Sequence, residues 1–455
     1  MKIEMPEKSF ALILSFVLFS FICICAHAYD EPALEVVVQE GDNLINIGKK
    51  YLASPAKWPV IAEINRIENP DLIYPGQTVL IPMRLLKWTS SDGKVNFIKG
   101  NVEVQSGESR EWTPLRLNDR LKEGSRIRSG DESTVEIVFE NGDSFLQSPN
   151  SNSGLSAARK MEGHHTLYKW FLGAGRTITK IKSATGRESR FEIETPSSIC
   201  AVRGTVFRTS VDPADATRSE VLKGFVDVEG MNQKVKLQEG EGTLVKKGEP
   251  PMLPKKLLPP PVLVTSISIY KNIPLNFEFG KVEGAVSYRI IFAKDSDIKD
   301  ILKEQIIKPA DSFKLFEADD GQYFLQSRSI DEFGLEGLPS DATTIKVRAN
   351  PMPPFIESPV DKTLYREKYL TLRWLRVNDA VQYHVQIAED KEFNRIIETR
   401  NDIRELQYET TKLDFKTYYF RISSIAKDDY QGEWSDILSF SIAPSAPALP
   451  DIRTR

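Results

Sequence analysis

The sequence has few of the residues that carry out most enzyme chemistry. Of its 455 residues, three are cysteine and four are histidine. Two cysteines belong to an apolar run near the start of the chain, so Cys200 alone remains if this run is removed. A lone cysteine excludes an internal disulfide, even in an oxidising compartment. The later histidines, His164, His165 and His384, lack the spacing of a metal-ligand set, and we predict neither a metal nor a cofactor.

The patterns of nucleophilic and metal-dependent hydrolases are also missing. Cys200 lies in a strand-like apolar run and not at the start of a helix, as a catalytic cysteine of the papain type would. His164 and His165 are adjacent, and adjacent residues of a strand face opposite sides, so they cannot chelate one ion together. The segment Asn141–Ser144 indicates a tight hairpin turn and not a nucleophile elbow. We predict no catalytic residues and a protein that is not an enzyme.

Strong net charge and a second long apolar run are absent as well. The formal net charge is −4 and there is no basic block, which argues against nucleic-acid binding. The one long apolar run, Ala11–Cys25, follows Lys2 and Lys8 and precedes the small residues of Ala26–Ala28. This is the pattern of a secretory signal peptide over residues 1–28. We therefore expect export to the periplasm or cell envelope, with no membrane-spanning helix after cleavage; an uncleaved anchor is the alternative.

What the sequence does contain begins with a compact strand–helix–helix–strand pattern. Glu35–Gln39 is a short β-branched run, and Thr78–Ile81 is a closing strand. Between them, apolar residues fall at helical spacing in two short stretches, Leu44, Ile47 and Tyr51, then Trp58, Ile61 and Ile64. Two turn signals, Asn69–Asp71 and Tyr74–Gly76, precede the last strand.

The segments GDNL, NPDLIYPGQ and LIP of residues 35–83 resemble the LysM domain, a βααβ module that binds N-acetylglucosamine-containing glycans such as peptidoglycan. The resemblance implies a shallow groove between two loops, 41–44 and 69–73. The glycan-binding residues that it implies are Gly41, Asp42, Asn43, Leu44, Asn69, Pro70, Asp71, Leu72 and Ile73. Backbone groups would pair the amide of the N-acetyl group, and the three apolar side chains would cover its methyl and the sugar. The alternative is that Leu44 and Ile73 are core residues and that Asp42 only caps a helix.

Residues 93–248 show strand-like alternation throughout. The segments GKVNFIKGNVEV, LKEGSRIRSGDES, NGDS, TPSSICAVRGTVF and VLKGFVDVEG resemble a FecR domain, which implies an all-β fold. The family's regulators are periplasmic sensor parts of anti-sigma factors, with a cytoplasmic domain ahead of a membrane helix. No such portion is found here, so signalling to a sigma factor is not carried over. Arg203 invites a functional interpretation, but we favour a turn residue that pairs a carboxylate, and we expect Cys200 to be an inert packing residue.

The last part of the chain consists of a proline-rich segment and a repeat. Residues 249–261 contain six prolines, and we expect a semi-rigid linker that holds the next domain away from the preceding one. Residues 262–348 and 354–443 repeat an aromatic pattern and resemble fibronectin type III modules, which are β-sandwiches. We expect Trp374, Tyr383 and Tyr419 in the core of the second copy, and a disordered tail over 444–455.

Together these patterns predict a multidomain, mostly β protein: a small βααβ module, an all-β domain and two tandem β-sandwiches. The expected function is non-catalytic. The favoured hypothesis is an envelope scaffold or adaptor that binds peptidoglycan through the LysM-like module and an unknown envelope protein through the β domains. One alternative is a periplasmic sensory adaptor for a membrane receptor. A weaker alternative is an accessory subunit of a cell-wall hydrolase.

Overall fold

The computed structural model describes residues 33–444 apart from 162–164, 183–189, 203, 265–266 and 268, and describes the backbone alone at His165. The predicted signal peptide, Arg203, His164 and all but the first residue of the predicted tail lie outside the described residues. Within the described ranges, no helix has the length and apolar character needed to span a membrane. The multidomain, mostly β fold that the sequence predicts is confirmed. The chain divides into two compact units between Trp88 and Thr89.

The first unit is a βααβ module around a two-stranded antiparallel sheet. Its elements are β1 (Ala33–Val37), α1 (Leu44–Tyr51), α2 (Trp58–Ile64) and β2 (Thr78–Pro82). A 3₁₀ turn, Pro55–Lys57, precedes α2. In β2 the alternate side chains Val79 and Ile81 are buried, as the two-residue period of a strand requires.

The two helices of this unit meet at a glycine. A β-carbon at Gly48 would lie 3.0 Å from the Trp58 Cβ atom and 3.2 Å from the Pro55 carbonyl oxygen. The absence of a side chain there lets α1 approach the start of α2 closely. Leu44, Ile47 and Ile61 are buried on the inner faces of the helices and form the core with the sheet. Burial of this apolar face, more than helix propensity, stabilises helices this short.

The second unit begins with a closed barrel. Its strands in the described residues are β3 (Thr89–Ser90), β4 (Gly93–Lys99), β5 (Val102–Gln105), β6 (Thr113–Pro114), β7 (Arg120–Leu121), β8 (Arg126–Ser129), β9 (Thr134–Val138), β10 (Ser144–Gln147), β11 (Asn152–Met161), β12 (His165–Lys180), β13 (Arg190–Glu194), β14 (Ile199–Val202), β15 (Val206–Val211), β16 (Thr217–Lys223), β17 (Phe225–Gly230), β18 (Gln233–Gln238), β19 (Glu241–Val245) and β20 (Lys255–Lys256). The predicted hairpin is confirmed, because β9 and β10 pair antiparallel and the turn between them contains Gly142 at φ +82°.

Aromatic stacking fills the centre of the barrel. The Phe145 and Trp170 rings are parallel, with centroids 3.8 Å apart, and the Phe139 and Tyr168 rings lie 3.9 Å apart. Trp170 and Tyr168 belong to β12, a strand of 16 residues that pairs with β11 and β13 along its first part and with β10 and β15 along its second. The change of partners occurs near Gly175 at φ +90°, where a β-carbon would lie 2.6 Å from the Ser151 Cα atom. Glycine is therefore required at this bend.

Two β-sandwiches follow the barrel. The first contains β21 (Leu275–Phe277), β22 (Ala285–Ala293), β23 (Ile301–Ile307), β24 (Phe313–Leu315), β25 (Gly321–Asp331) and β26 (Thr343–Val347), in the sheets β21-β24 and β23-β22-β25-β26. The second contains β27 (Ile356–Ser358), β28 (Thr363–Tyr365), β29 (Thr371–Trp374), β30 (Ala380–Ala388), β31 (Ile396–Ile403), β32 (Gln407–Glu409), β33 (Thr417–Ala426), β34 (Gln431–Trp434) and β35 (Leu438–Ile442), in the sheets β27-β29-β32 and β28-β35-β33-β30-β31, with β34 on β33.

The core of the second sandwich contains two of the three expected aromatic residues. Trp374 and Tyr383 are buried and meet edge to face, with ring centroids 5.4 Å apart. Tyr419 is only half-buried, and its neighbours Tyr418 and Phe420 are the buried residues of β33. The expectation for Tyr419 was therefore wrong by one position, which in a strand moves a side chain to the opposite face.

The proline-rich segment 249–261 does not hold the first sandwich away from the barrel. On the barrel side, β20 pairs with β19. On the sandwich side, the carbonyl oxygens of Pro259 and Pro261 accept hydrogen bonds from the hydroxyls of Ser329 and Ser327, at 2.7 and 3.0 Å. The spacer expectation was wrong, because proline lacks a backbone donor but keeps its carbonyl acceptor, and these carbonyls pair with β25.

A buried cluster of arginine and glutamate side chains joins the barrel to the first sandwich. The cluster comprises Arg176, Arg208 and Glu220 of the barrel and Arg289, Glu304, Arg328 and Glu336 of the sandwich. Glu336 is at its centre: one oxygen lies 2.6 Å from the Arg289 Nε atom and the other 3.1 Å from the Arg328 Nη1 atom. Arg176 reaches Glu304 from the barrel at 2.5 Å. The Arg208 guanidinium donates to the Gly337 carbonyl oxygen at 2.7 Å.

The pKa values in this cluster follow from burial and charge. Burial by itself would raise the pKa of Glu336, but the charges of Arg289, Arg328, Arg208 and Arg176 hold it well below its usual range. Burial lowers the pKa of Arg328 to about 10. For Glu220 burial is the larger effect and raises the pKa, although Arg208 opposes it. Glu336 thus compensates the buried Arg328 guanidinium, and it shares Arg176 and Arg289 with Glu304.

Candidate glycan-binding site

The antiparallel sheet of the first unit brings the two predicted loops to the same end. Val37 at the end of β1 lies opposite Thr78 at the start of β2. Beyond the ladder, the Val38 N–H donates to the Gln77 carbonyl oxygen at 2.8 Å, and the Val38 carbonyl oxygen accepts from the Gly76 N–H at 2.9 Å. The chain therefore leaves β1 next to the segment that enters β2, and loops 41–44 and 69–73 belong to these adjoining connections.

The first loop is a closed turn followed by a helix cap. Gly41 has φ +86°, a conformation that favours glycine. The Asp42 carboxylate accepts a hydrogen bond from the Gln39 N–H at 2.8 Å and so closes the turn. Asn43 is the residue that caps α1, because its side-chain oxygen accepts from the Asn46 N–H at 2.8 Å. The alternative in which Asp42 caps the helix is therefore wrong.

The second loop is held by short-range bonds of its own. The Asn69 side chain accepts from the Asp71 N–H at 3.1 Å, and the Asn69 carbonyl oxygen accepts from the Leu72 N–H at 3.0 Å. Further along, the Gln77 side chain accepts from the Tyr74 N–H at 3.1 Å. Pro70 lies inside the first of these turns, where its fixed φ suits a turn. The backbone of this loop is thus ordered by its own side chains.

Burial separates the predicted residues into two groups. Leu44 is 0% exposed and Ile73 is 8% exposed, so their side chains belong to the core, as the alternative interpretation held. Leu72 is 54% exposed, and Tyr74, which the sequence analysis did not select, is 63% exposed. The other predicted residues are exposed or half-buried. Binding of a glycan by these loops stays a prediction.

This arrangement offers the groups that an N-acetylated sugar needs. Leu72 and Tyr74 flank the buried Ile73, so two apolar side chains project from the loop while the residue between them anchors it. The first turn of α1 also leaves backbone N–H groups without intrahelical acceptors beside the loop. An acetyl methyl and a sugar face would contact the apolar side chains, and the acetamide would pair with backbone groups.

Asn65 positions this site and was not found from the sequence. Its side-chain oxygen accepts from the Leu80 N–H, and its side-chain nitrogen donates to the Leu80 carbonyl oxygen, both at 2.7 Å. One amide thereby joins the end of α2 to the middle of β2, across the loop that contains Leu72. In the sequence, an asparagine after a helical stretch indicates a helix end. Nothing in the sequence around Asn65 indicates that its side chain bonds to the Leu80 backbone, fifteen residues later.

The residues considered for catalysis are not brought together among the described residues. Cys200 is fully buried, its Sγ atom lies 3.1 Å from the Ser219 hydroxyl, and burial raises the pKa of the thiol. The His384 side chain lies in the second sandwich, where Thr399 and Gln431 are its hydrogen-bond partners. In the described part of the chain, no group of three or more His, Cys, Asp or Glu side chains is arranged to hold a metal ion.

Comparisons with known proteins identify two families in the chain. Residues 36–82 match the LysM domain, and residues 125–227 match the FecR protein family. Both are families of non-catalytic kinds that are typical of envelope proteins. No curated protein matches the chain.

Solved structures are similar to parts of the chain at low identity. Two structures of a protein assigned as an anti-sigma factor from Parabacteroides distasonis are 16% and 15% identical, with TM-scores of 0.24 and 0.25, and cover 29% of this chain and 59% of theirs. The fibronectin(III)-like modules of Clostridium thermocellum CbhA are 14% identical, with a TM-score of 0.18, over 40% of this chain and 94% of theirs. The chicken CNTN1 FN1–FN3 domains are 13% identical, with a TM-score of 0.22, over 59% and 98%. The chain thus contains a LysM domain at residues 36–82 and a FecR region at residues 125–227.

Proposed function

We propose that this protein is an exported, non-catalytic protein of the periplasm or cell envelope that binds peptidoglycan through its LysM domain. The barrel and the two sandwiches then serve as a scaffold or adaptor for an envelope protein. The observation that carries the proposal is the LysM match over 36–82, together with two ordered loops at one end of the sheet and an exposed Leu72 in the second of them.

The binding test uses insoluble peptidoglycan and the full chain. We expect the wild-type protein to sediment with the polymer much more strongly than a chain that begins at residue 89. One shallow site buries little ligand, so the dissociation constant should be micromolar to millimolar, roughly 4–8 kcal/mol. Chitin oligomers should compete, because they share N-acetylglucosamine. Salt should have little effect on binding of the chitin oligomers, because contacts to N-acetyl groups are not ionic.

A single substitution tests the loop itself. Leu72→Asp should strongly weaken sedimentation, because it places a charge where an apolar side chain would meet the sugar, and it should leave the fold intact because Leu72 is exposed. Leu253→Asp is the matched control: Leu253 is 78% exposed and lies in the second unit. If the chain from residue 89 binds as well as the full chain, the LysM domain is not the anchor and the proposal fails.

A second candidate function is a sensory adaptor for a membrane receptor, and the FecR match over 125–227 favours it. Chemical cross-linking in intact envelopes, followed by mass spectrometry of the captured proteins, separates the candidates. A receptor or signalling protein among the captured partners would support the adaptor. Cell-wall hydrolases would instead support the accessory-subunit hypothesis.

A further inference from the structure

The outer surface of the barrel has a cleft of about 450 Å³ that the LysM site does not involve. We propose that this cleft is a second contact for the same polymer and takes its peptide-bearing repeat unit, a muropeptide. The proposal rests on the proposed function, in that it takes peptidoglycan as the polymer. The observation that supports it independently is a row of residues on four neighbouring strands, in which an exposed aromatic ring lies between two opposite charges.

Strand register places the residues of the cleft in one row. Arg126 of β8 lies opposite Gly154 of β11, Gly154 lies opposite Phe171 of β12, and Phe171 lies beside Glu194 of β13. Residues paired in this way project from the same face of a sheet. With strands about 4.8 Å apart, the row from Arg126 to Glu194 spans roughly 14 Å.

Gly154 keeps the centre of the row open. A β-carbon there would lie 3.5 Å from the Arg126 Cγ atom and 3.6 Å from the Ser125 carbonyl oxygen, which is ordinary contact, so the backbone does not require glycine. A glycine inside a strand weakens the strand and often marks a place where another molecule approaches the backbone. Here it leaves a depression between a guanidinium group and an aromatic ring.

The aromatic walls of the cleft are held in place. Phe171 is 40% exposed, and its ring lies across Gly173, where a β-carbon would be 3.2 Å from the ring. The ring thus lies close to the backbone at Gly173 while part of it stays exposed. At the far wall, the Trp112 ring stacks on the Arg128 guanidinium at 4.4 Å, and Arg128 pairs with Glu103 at 2.7 Å. The cleft therefore offers flat apolar surfaces in fixed positions.

The charges at the ends of the row set the ligand class. Arg126 and Glu194 are exposed, and neither has an ion-pair partner among the described residues. A guanidinium pairs in a planar, bidentate way with a carboxylate, and Glu194 would accept an ammonium group. Peptide stems of peptidoglycan carry both groups, and about four extended residues span roughly 13 Å. The apolar part of the stem between its charged groups would lie on Phe171, and the attached sugar would extend beyond the end of the row.

The test measures binding of two soluble ligands, chitotetraose and a disaccharide tetrapeptide, to full-length Leu72→Asp protein by calorimetry. This background should lose chitotetraose binding and keep muropeptide binding, which should weaken as salt is raised from about 50 to about 300 mM, because charge pairs are screened. Adding Phe171→Ala should weaken muropeptide binding at least tenfold. Adding Arg126→Gln should weaken it and reduce its salt dependence.

Two further variants distinguish loss of the binding site from unfolding of the barrel. Gly154→Val fills the depression and suits a strand, so it should abolish muropeptide binding without lowering the unfolding midpoint. Phe225→Ala, which removes another exposed aromatic of the barrel, should change nothing. Unchanged muropeptide affinity in Phe171→Ala and Gly154→Val would overturn the proposal, as would equal affinity for the disaccharide without peptide. Chitotetraose binding that survives Leu72→Asp would instead count against the LysM site.

Discussion

A substitution at Glu336 is the most direct test of the contact between the barrel and the first sandwich. Its carboxylate meets Arg289 at 2.6 Å and Arg328 at 3.1 Å, and its backbone N–H donates to Glu220 of the barrel at 3.1 Å. Glu336→Gln keeps the shape of the side chain and removes the charge. The buried Arg328 then loses the carboxylate with which it pairs, whereas Arg289 keeps its contact with Glu304.

The expected loss of stability is large for one substitution. Removal of one partner of a buried ion pair costs about 3–5 kcal/mol, because the remaining charge stays buried. That is a sizeable fraction of the roughly 5–15 kcal/mol that separates most folded domains from their unfolded state. Glu332→Gln is the matched control: Glu332 lies in the same loop, is 70% exposed and pairs with Lys255 at 3.5 Å. Exposed pairs of this kind contribute about 0–1 kcal/mol.

Urea unfolding and limited proteolysis together measure the effect. We expect Glu336→Gln to lower the unfolding free energy by about 3–5 kcal/mol and to make segment 249–261 sensitive to protease, since its bonds to β25 depend on the sandwich staying in place. The wild type and Glu332→Gln should resist cleavage there. If Glu336→Gln behaves like Glu332→Gln in both assays, the cluster does not hold the two domains together.

The pH dependence gives an independent check with a defined sign. The folded pKa of Glu336 lies below its unfolded value of about 4.3, so its contribution is complete above that pH and is lost as the pH falls further. The stability difference between wild type and Glu336→Gln should therefore be constant near neutral pH and shrink below about pH 4. Glu220 has the opposite sign: its raised pKa makes it cost stability as the pH rises above its unfolded value.

Cys200 and the N-terminal apolar run give two more predictions. Cys200→Ser should lower the unfolding free energy by ~1–2 kcal/mol, as a typical core substitution does. In the folded wild type, the Cys200 thiol should not react with Ellman's reagent, because it is buried and its pKa is raised. Rapid labelling of Cys200 in the folded state would contradict this prediction. Mass spectrometry of the envelope form should give Tyr29 as the first residue, whereas an intact N-terminus on membrane-bound protein would favour the anchor.

The parts of the fold that the sequence predicts well are those fixed by near neighbours. The βααβ module follows from helical spacing around Leu44 and Ile61 and from turn residues close by. The hairpin at Gly142 follows from a two-residue turn between alternating strands. In the glycan site, the same local patterns locate both loops but do not decide which side chains face outward. Leu44 and Ile73 are buried because of where the sheet lies, which a loop motif does not specify.

The parts that sequence patterns miss depend on distant partners. Arg208 and Glu336 are 128 residues apart, and nothing around either one indicates a buried contact. The prolines before the first sandwich predicted a spacer because free proline-rich chains are extended. Their carbonyl oxygens bond to β25 instead, and the cluster of arginines and glutamates closes beside them. The row from Arg126 to Glu194 is likewise formed by strand register, between residues that lie far apart in the sequence.

The long strand β12 limits how the barrel can be taken apart. Its first part pairs with β11 and β13, its second with β10 and β15, and the two parts are one continuous strand. Because one strand belongs to both sets of ladders, we expect the barrel to unfold as one cooperative unit. As a consequence, we do not expect half of the barrel to be exchangeable between related proteins. A chimaera with its junction inside β12 would join strands from two parents that do not pair well, and unpaired strand edges would result. We therefore expect functional chimaeras to take the whole barrel from one parent.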